Sequence, residues 1–81
     1  MAIELESGFE IIRFSDMRYE EMTVEIQYKG EQIAQINKDR GAQMLEIEIL
    51  TDFIKSEFIL KFMLSDFLLA LEEAKKLILE S

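Results

Sequence analysis

Cysteine, histidine, proline and tryptophan are all missing from this chain of 81 residues, and glycine occurs only 3 times. Without cysteine there is no disulfide framework, no thiolate nucleophile and no cysteine metal site. A secreted domain this small would often need such bridges, so a reducing, cytoplasmic setting is expected. Without histidine the commonest general acid–base group is gone. Ser7, Ser15, Ser56, Ser65 and Ser81 therefore lack the partner that would activate a hydroxyl. Gly8, Gly30 and Gly41 are too far apart to form a phosphate-cradling loop. Neither an enzyme nor a cofactor site is expected.

Long apolar runs and positive charge are also scarce. Phe58 to Leu71 is the most apolar stretch, yet it is too short to span a bilayer and carries Lys61 and Asp66. Met1 to Gly8 alternates acidic with apolar residues, which does not suit a secretory signal. Only 9 Lys and Arg stand against 17 Asp and Glu, a formal net charge of -8. That balance repels phosphate backbones and anionic lipid, arguing against nucleic acid or a membrane surface as partner and leaving a basic protein as the natural one. The same charge also serves plain solubility.

What is present suits one small domain over residues 1–81. Hydrophobic residues make up 49% of the chain, with 6 Phe and 5 Met to fill a core. A domain of this length buries only roughly 60% of the surface its unfolded chain exposes, so its stability margin is thin.

Periodicity predicts an antiparallel β-meander of four or five strands with a C-terminal helix packed on one face, an α+β fold. Met22, Val24, Ile26 and Tyr28 alternate with Thr23, Glu25, Gln27 and Lys29, as in a strand with one buried and one wet face. Lys29-Gly30 fits a tight hairpin turn into a strand over Gln32 to Asn37. The turn formers Asn37 to Gly41 precede a third alternation, Leu45, Ile47 and Ile49 against Glu46 and Glu48. Phe9 to Phe14 reads as a strand whose phase slips, through a bulge or through burial on both faces. Ser15 to Glu21 reads as a polar connection.

Ser65 to Glu80 predicts the helix. Leu64, Phe67, Leu68, Leu71, Ala74, Leu77 and Ile78 form an apolar stripe, Ser65 is placed to cap, and Leu64 to staple against Leu69. Asp66 suits the positive end of the dipole, and Glu72 with Lys76 has the spacing of an ion pair. Thr51 to Met63 admits two readings, a fifth strand, which is favoured, or a helix capped by Thr51.

Carboxylates are the plentiful reactive groups. Glu25, Glu46 and Glu48 are expected on one outer sheet face, where solvation explains them better than a hydrolytic pair does, since such a pair needs a cleft. Asn37, Asp39, Gly41 and Glu48 echo a calcium loop, but the glycine falls one place early and Lys38 and Arg40 add positive charge. Turn chemistry accounts for them, and no metal is expected. The off-phase residues Ile12, Phe14, Ile33, Ile59 and Met63 would form a second apolar face, suited to homodimerisation, if the helix covers the first.

Tyr28 to Gly41 (YKGEQIAQINKDRG), the acidic LEIEI strand at Leu45 to Ile49 and the tail Phe62 to Leu77 together resemble the small acidic immunity proteins encoded beside bacterial polymorphic toxins. The resemblance implies a sheet-plus-helix fold without catalytic residues and a role as tight-binding inhibitor of a toxin, with basic nucleases as fitting partners. On this reading Glu25, Glu46, Glu48, Asn37, Asp39 and Arg40 are the expected contacts. The alternative is a homodimeric accessory or regulatory domain without catalytic activity.

Overall fold

The computed structural model describes residues 2–50 and 60–81. Five strands, β1 (Ala2–Glu4), β2 (Phe9–Phe14), β3 (Thr23–Tyr28), β4 (Glu31–Asn37) and β5 (Glu46–Ile49), precede one helix, α1 (Leu64–Leu79). The strands form a single antiparallel sheet in the order β1-β2-β3-β4-β5, and α1 packs across β2, β3 and β4. The α+β meander expected from periodicity is the observed fold.

Register explains which residues share a face. Ile3, Ile11, Ile26, Ala34 and Ile49 are successive cross-strand partners, as are Arg13, Val24, Ile36 and Ile47 one step along. In the middle strands these rows are fully buried with Ala70, Ala74, Leu77 and Ile78 of α1. The two alanines let the helix backbone come close to the sheet, while Leu77 and Ile78 supply volume. Phe9, Tyr28, Phe62 and Phe67 cluster at one end, with ring centroids 4.8 Å apart for Phe9–Tyr28 and for Phe9–Phe62, and 5.1 Å for Phe62–Phe67. This cluster joins the chain entering α1 to the sheet.

Two strand expectations change. The favoured fifth strand was placed over Thr51 to Met63; residues 51–59 lie outside the described residues, and Leu60 to Met63 carry no regular structure. Among the described residues the fifth strand is β1, formed where Ile3 and Leu5 alternate with acidic residues and turned back by Gly8 at φ 101°. The phase puzzle of Phe9 to Phe14 resolves without a bulge there, since β2 pairs regularly with β3 from Phe9↔Tyr28 to Phe14↔Thr23. The register shift falls between Ile26 and Gln27 of β3, where Ala34 and Gln32 are their partners and Ile33 is the extra residue. The shift brings Ile33 into the core.

The helix begins one residue earlier than expected, and Ser65 does not cap it. Met63, extended at φ -64° and ψ 134°, holds the cap position without a side-chain hydrogen bond. Leu64 lies within the first turn and, like Leu69, is exposed, so no staple forms. Asp66 does occupy the first turn, while Lys76 pairs with Glu73 at 3.6 Å, not with Glu72.

The β3–β4 hairpin turns through Lys29 (φ 49°) and Gly30 (φ 85°), the double positive-φ arrangement whose twist matches paired strands. A Cβ on Gly30 would meet nothing within 4 Å. Gly30→Ala is therefore expected to lower the unfolding free energy by about 1–2 kcal/mol through backbone strain alone, measured by urea denaturation with an unchanged m-value. Ile78→Ala, which opens a fully buried site beneath the sheet, is expected to cost about 2–5 kcal/mol in the same assay.

Candidate functional site

The sheet face opposite α1 carries a different chemistry. There Ile12, Glu25, Gln35 and Glu48 follow one another as cross-strand partners. Glu25 and Gln35 are only 5% and 4% exposed, and Thr23 beside them is fully buried, with its hydroxyl donating to the Phe14 carbonyl at 3.0 Å. The alternation in β3 was expected to leave Thr23 and Glu25 in water, and the structure corrects this: β3 is covered on both faces. Part of the cover is the β2–β3 connection, which lays Asp16 and Arg18 over the sheet.

Asp16 and Arg18 form a built network. The Arg18 guanidinium donates to Asp16 Oδ2 from Nη2 at 3.0 Å and from Nε at 3.2 Å, and its backbone N–H donates to Asp16 Oδ1 at 2.9 Å. Gln35 closes the ring. Its Nε2 donates to Asp16 Oδ2 at 2.8 Å while its Oε1 accepts from Arg18 Nη2 at 3.2 Å. Glu48 Oε1 accepts from the same Nη2 at 3.3 Å. The Arg18 guanidinium, followed by the Gln35 amide and the Arg18 backbone N–H, holds the Asp16 carboxyl well below the usual carboxylate range. Asp16 in turn raises Arg18 above its ordinary value.

Next to this network opens a cavity of about 300 Å³ lined by Phe14, Asp16, Arg18, Glu25, Gln32, Gln35 and Leu50. Glu25 contributes a buried carboxylate whose Oε1 accepts from Gln27 Nε2 at 3.2 Å. Among the described residues its Oε2 has no hydrogen-bond partner and the carboxylate has no ion pair.

The residues expected as contacts divide into three groups. Glu25 and Glu48 come together on the cavity face, Glu25 buried and Glu48 paired to Arg18. Glu46 and Arg40 pair with each other at 3.7 Å at the end of the β4–β5 hairpin, both exposed. Asn37 and Asp39 serve the fold. Asn37 is buried and its Oδ1 accepts from the Asp39 N–H at 3.2 Å, while the Asp39 carboxylate accepts from the backbone N–H groups of Glu20 and Glu21 at 3.2 and 3.1 Å. This clasp ties the β2–β3 connection to the β4–β5 turn, consistent with turn chemistry for the residues that echo a calcium loop. Among the described residues, no three Asp or Glu gather closely enough to hold a metal ion.

Asp16, Arg18 and Gln35 were not anticipated. The signal was the Asp-x-Arg spacing inside a stretch otherwise read as a polar connection. Of the residues expected on a second apolar face, Ile12 and Phe14 lie on the cavity side, opposite α1, whereas Ile33 is in the core, Met63 precedes α1, and Ile59 is outside the described residues. Exposed apolar side chains gather elsewhere, with Ile47 and Ile49 on edge strand β5 47% and 58% exposed and Leu64, Leu68 and Leu69 outward on α1. No helix of the described residues is long and apolar enough to cross a membrane. Compared with family models, with curated proteins and with solved structures, the chain matches none.

The depressed carboxyl of Asp16 sets a pH dependence. Its folded-state value lies below its unfolded one, so the stability it contributes is full above the ordinary carboxylate range, near pH 4, and is lost as pH falls through the depressed value. Asp16→Asn is expected to lower the melting temperature at neutral pH, and the deficit is expected to shrink steadily below about pH 4. Thermal scans of both proteins across that range measure it.

Proposed function

We propose that this chain is a protein-binding inhibitor of the immunity type, acting on a positively charged toxin domain and catalysing no reaction itself. The observation that carries the reading is the face opposite α1, where the carboxylates of Asp16 and Glu25 line an open cavity with the guanidinium of Arg18, and Glu48 pairs with that guanidinium on the same face. Such a face supplies charge complementarity to a basic partner and speeds its capture. The net charge of -8 acts in the same direction at longer range. The resemblance of Tyr28 to Gly41 and of the LEIEI strand to immunity proteins supports the biological setting, and the absence of histidine and cysteine supports binding over chemistry.

A second reading, a homodimeric accessory or regulatory domain, is favoured by one observation. Ile47 and Ile49 belong to the helix-side rows of the sheet, yet α1 does not reach β5, and both remain exposed on an edge strand. Such an edge invites pairing with a second copy. Sedimentation equilibrium separates the two readings, because a monomer at all concentrations contradicts the dimer.

Co-expression with the toxin domain encoded next to this chain's gene tests the leading reading. Growth is expected to be restored, and the purified complex is expected to weaken as salt is raised. Unrelieved toxicity, a complex indifferent to salt, or a gene neighbourhood without a toxin would contradict it.

A further inference from the structure

We propose that the cavity beside Glu25 is a receptor for one cationic side chain, an arginine or lysine of the bound partner, with the Glu25 carboxylate as its counter-charge. The inference rests on reading this face as a partner surface, and adds which group enters and where.

Three observations converge. First, Glu25 is 5% exposed, lines the cavity, and receives one hydrogen bond, from Gln27 at 3.2 Å. Taking a carboxylate out of water is costly unless a counter-charge or several donors replace the lost hydration. Among the described residues no cation pairs with it. Arg18, which also lines the cavity, is committed through Nε and Nη2 to Asp16 and through Nη2 also to Gln35 and Glu48. Among the described residues Glu25 is thus the cavity-lining carboxylate without an ion pair.

Second, size and lining select the guest. A volume of about 300 Å³ is at the lower limit of small-molecule pockets, enough for one long side chain. Among the described residues the carboxylates do not converge as metal ligands would. Phe14 and Leu50 supply apolar walls for a methylene stem, and an aromatic face beside a carboxylate favours a cationic head group.

Third, the surroundings are already organised. The Asp16–Arg18–Gln35 ring fixes the Gln35 amide by both of its polar atoms, so the guest meets a rigid wall and less entropy is lost on binding. Gln32, exposed at the mouth, offers a further acceptor.

The test is a titration of the isotope-labelled protein with N-acetyl-arginine amide, and with N-acetyl-citrulline amide as the neutral isostere, followed by amide chemical shifts. Saturable shifts in the millimolar range, confined to the amides around Phe14, Glu25, Gln35 and Leu50, are expected with the arginine probe. They are expected to weaken roughly tenfold or more with citrulline. Glu25→Gln, shown by circular dichroism to be folded, is expected to abolish them, while Glu72→Gln on α1 leaves them intact. Shifts scattered over the acidic surface, equal response to citrulline, or an unaltered response in Glu25→Gln would overturn the proposal. Failure here alongside a salt-sensitive complex with the toxin domain removes the cavity as the receptor and leaves the inhibitor reading standing; the reverse outcome removes the toxin and keeps the receptor.

Discussion

Everything in this fold depends on one helix covering one face of a five-stranded sheet. Ala70 and Ala74 admit the helix to close range over β2, β3 and β4, Leu77 and Ile78 fill the space, and the Phe9–Tyr28–Phe62–Phe67 cluster fastens its entrance. The far end of α1 is secured as well. Ser81 donates its hydroxyl to the Leu77 carbonyl at 2.7 Å, and Lys38 donates to the main-chain oxygen of Ser81, placing positive charge at the negative end of the helix dipole. A chain this short has one such layer to give, so the opposite face is organised by polar groups.

That second face is built by a different logic. Its polar atoms are linked through a short loop that reaches back over the sheet, the guanidinium of Arg18 serving as the hub for Asp16, Gln35 and Glu48. Ion pairs this exposed contribute little singly. Their geometric effect is larger: they hold the wall of a cavity in which, among the described residues, the Glu25 carboxylate has no ion pair.

The helix-side half of this architecture was legible in the sequence because burial imposes period. Val24, Ile26 and Tyr28, the Lys29-Gly30 turn and Ala74, Leu77 and Ile78 of the helix stripe fall where alternation or helical spacing puts them, whereas Leu64 and Leu68 of that stripe face outward and Ala70 takes a core place. The cavity side was not, because period says which residues share a face and nothing of what covers it. Glu25 was correctly placed opposite Val24 and Ile26, yet judged wet, since the β2–β3 connection, read as a polar link, folds back so that Asp16 and Arg18 bond to Gln35 on the neighbouring strand. Asn37 and Asp39 likewise read as surface turn residues, whereas Asp39 accepts long-range bonds from the Glu20 and Glu21 N–H groups and Asn37 holds the Asp39 N–H, which makes the turn a clasp. Ile33 looked out of phase because one extra residue in β4 shifts the register, which alternation cannot anticipate.

On the proposed reading the Glu25 carboxylate serves a partner and not the fold. The most direct measurement is the unfolding free energy of Glu25→Gln beside its affinity for the proposed partner, a toxin domain. The expected result is a protein at least as stable as the parent that binds the partner more weakly, because a neutral amide suffers less from burial yet offers no counter-charge. A variant destabilised by more than about 2 kcal/mol, or one that binds as tightly as the parent, would contradict it.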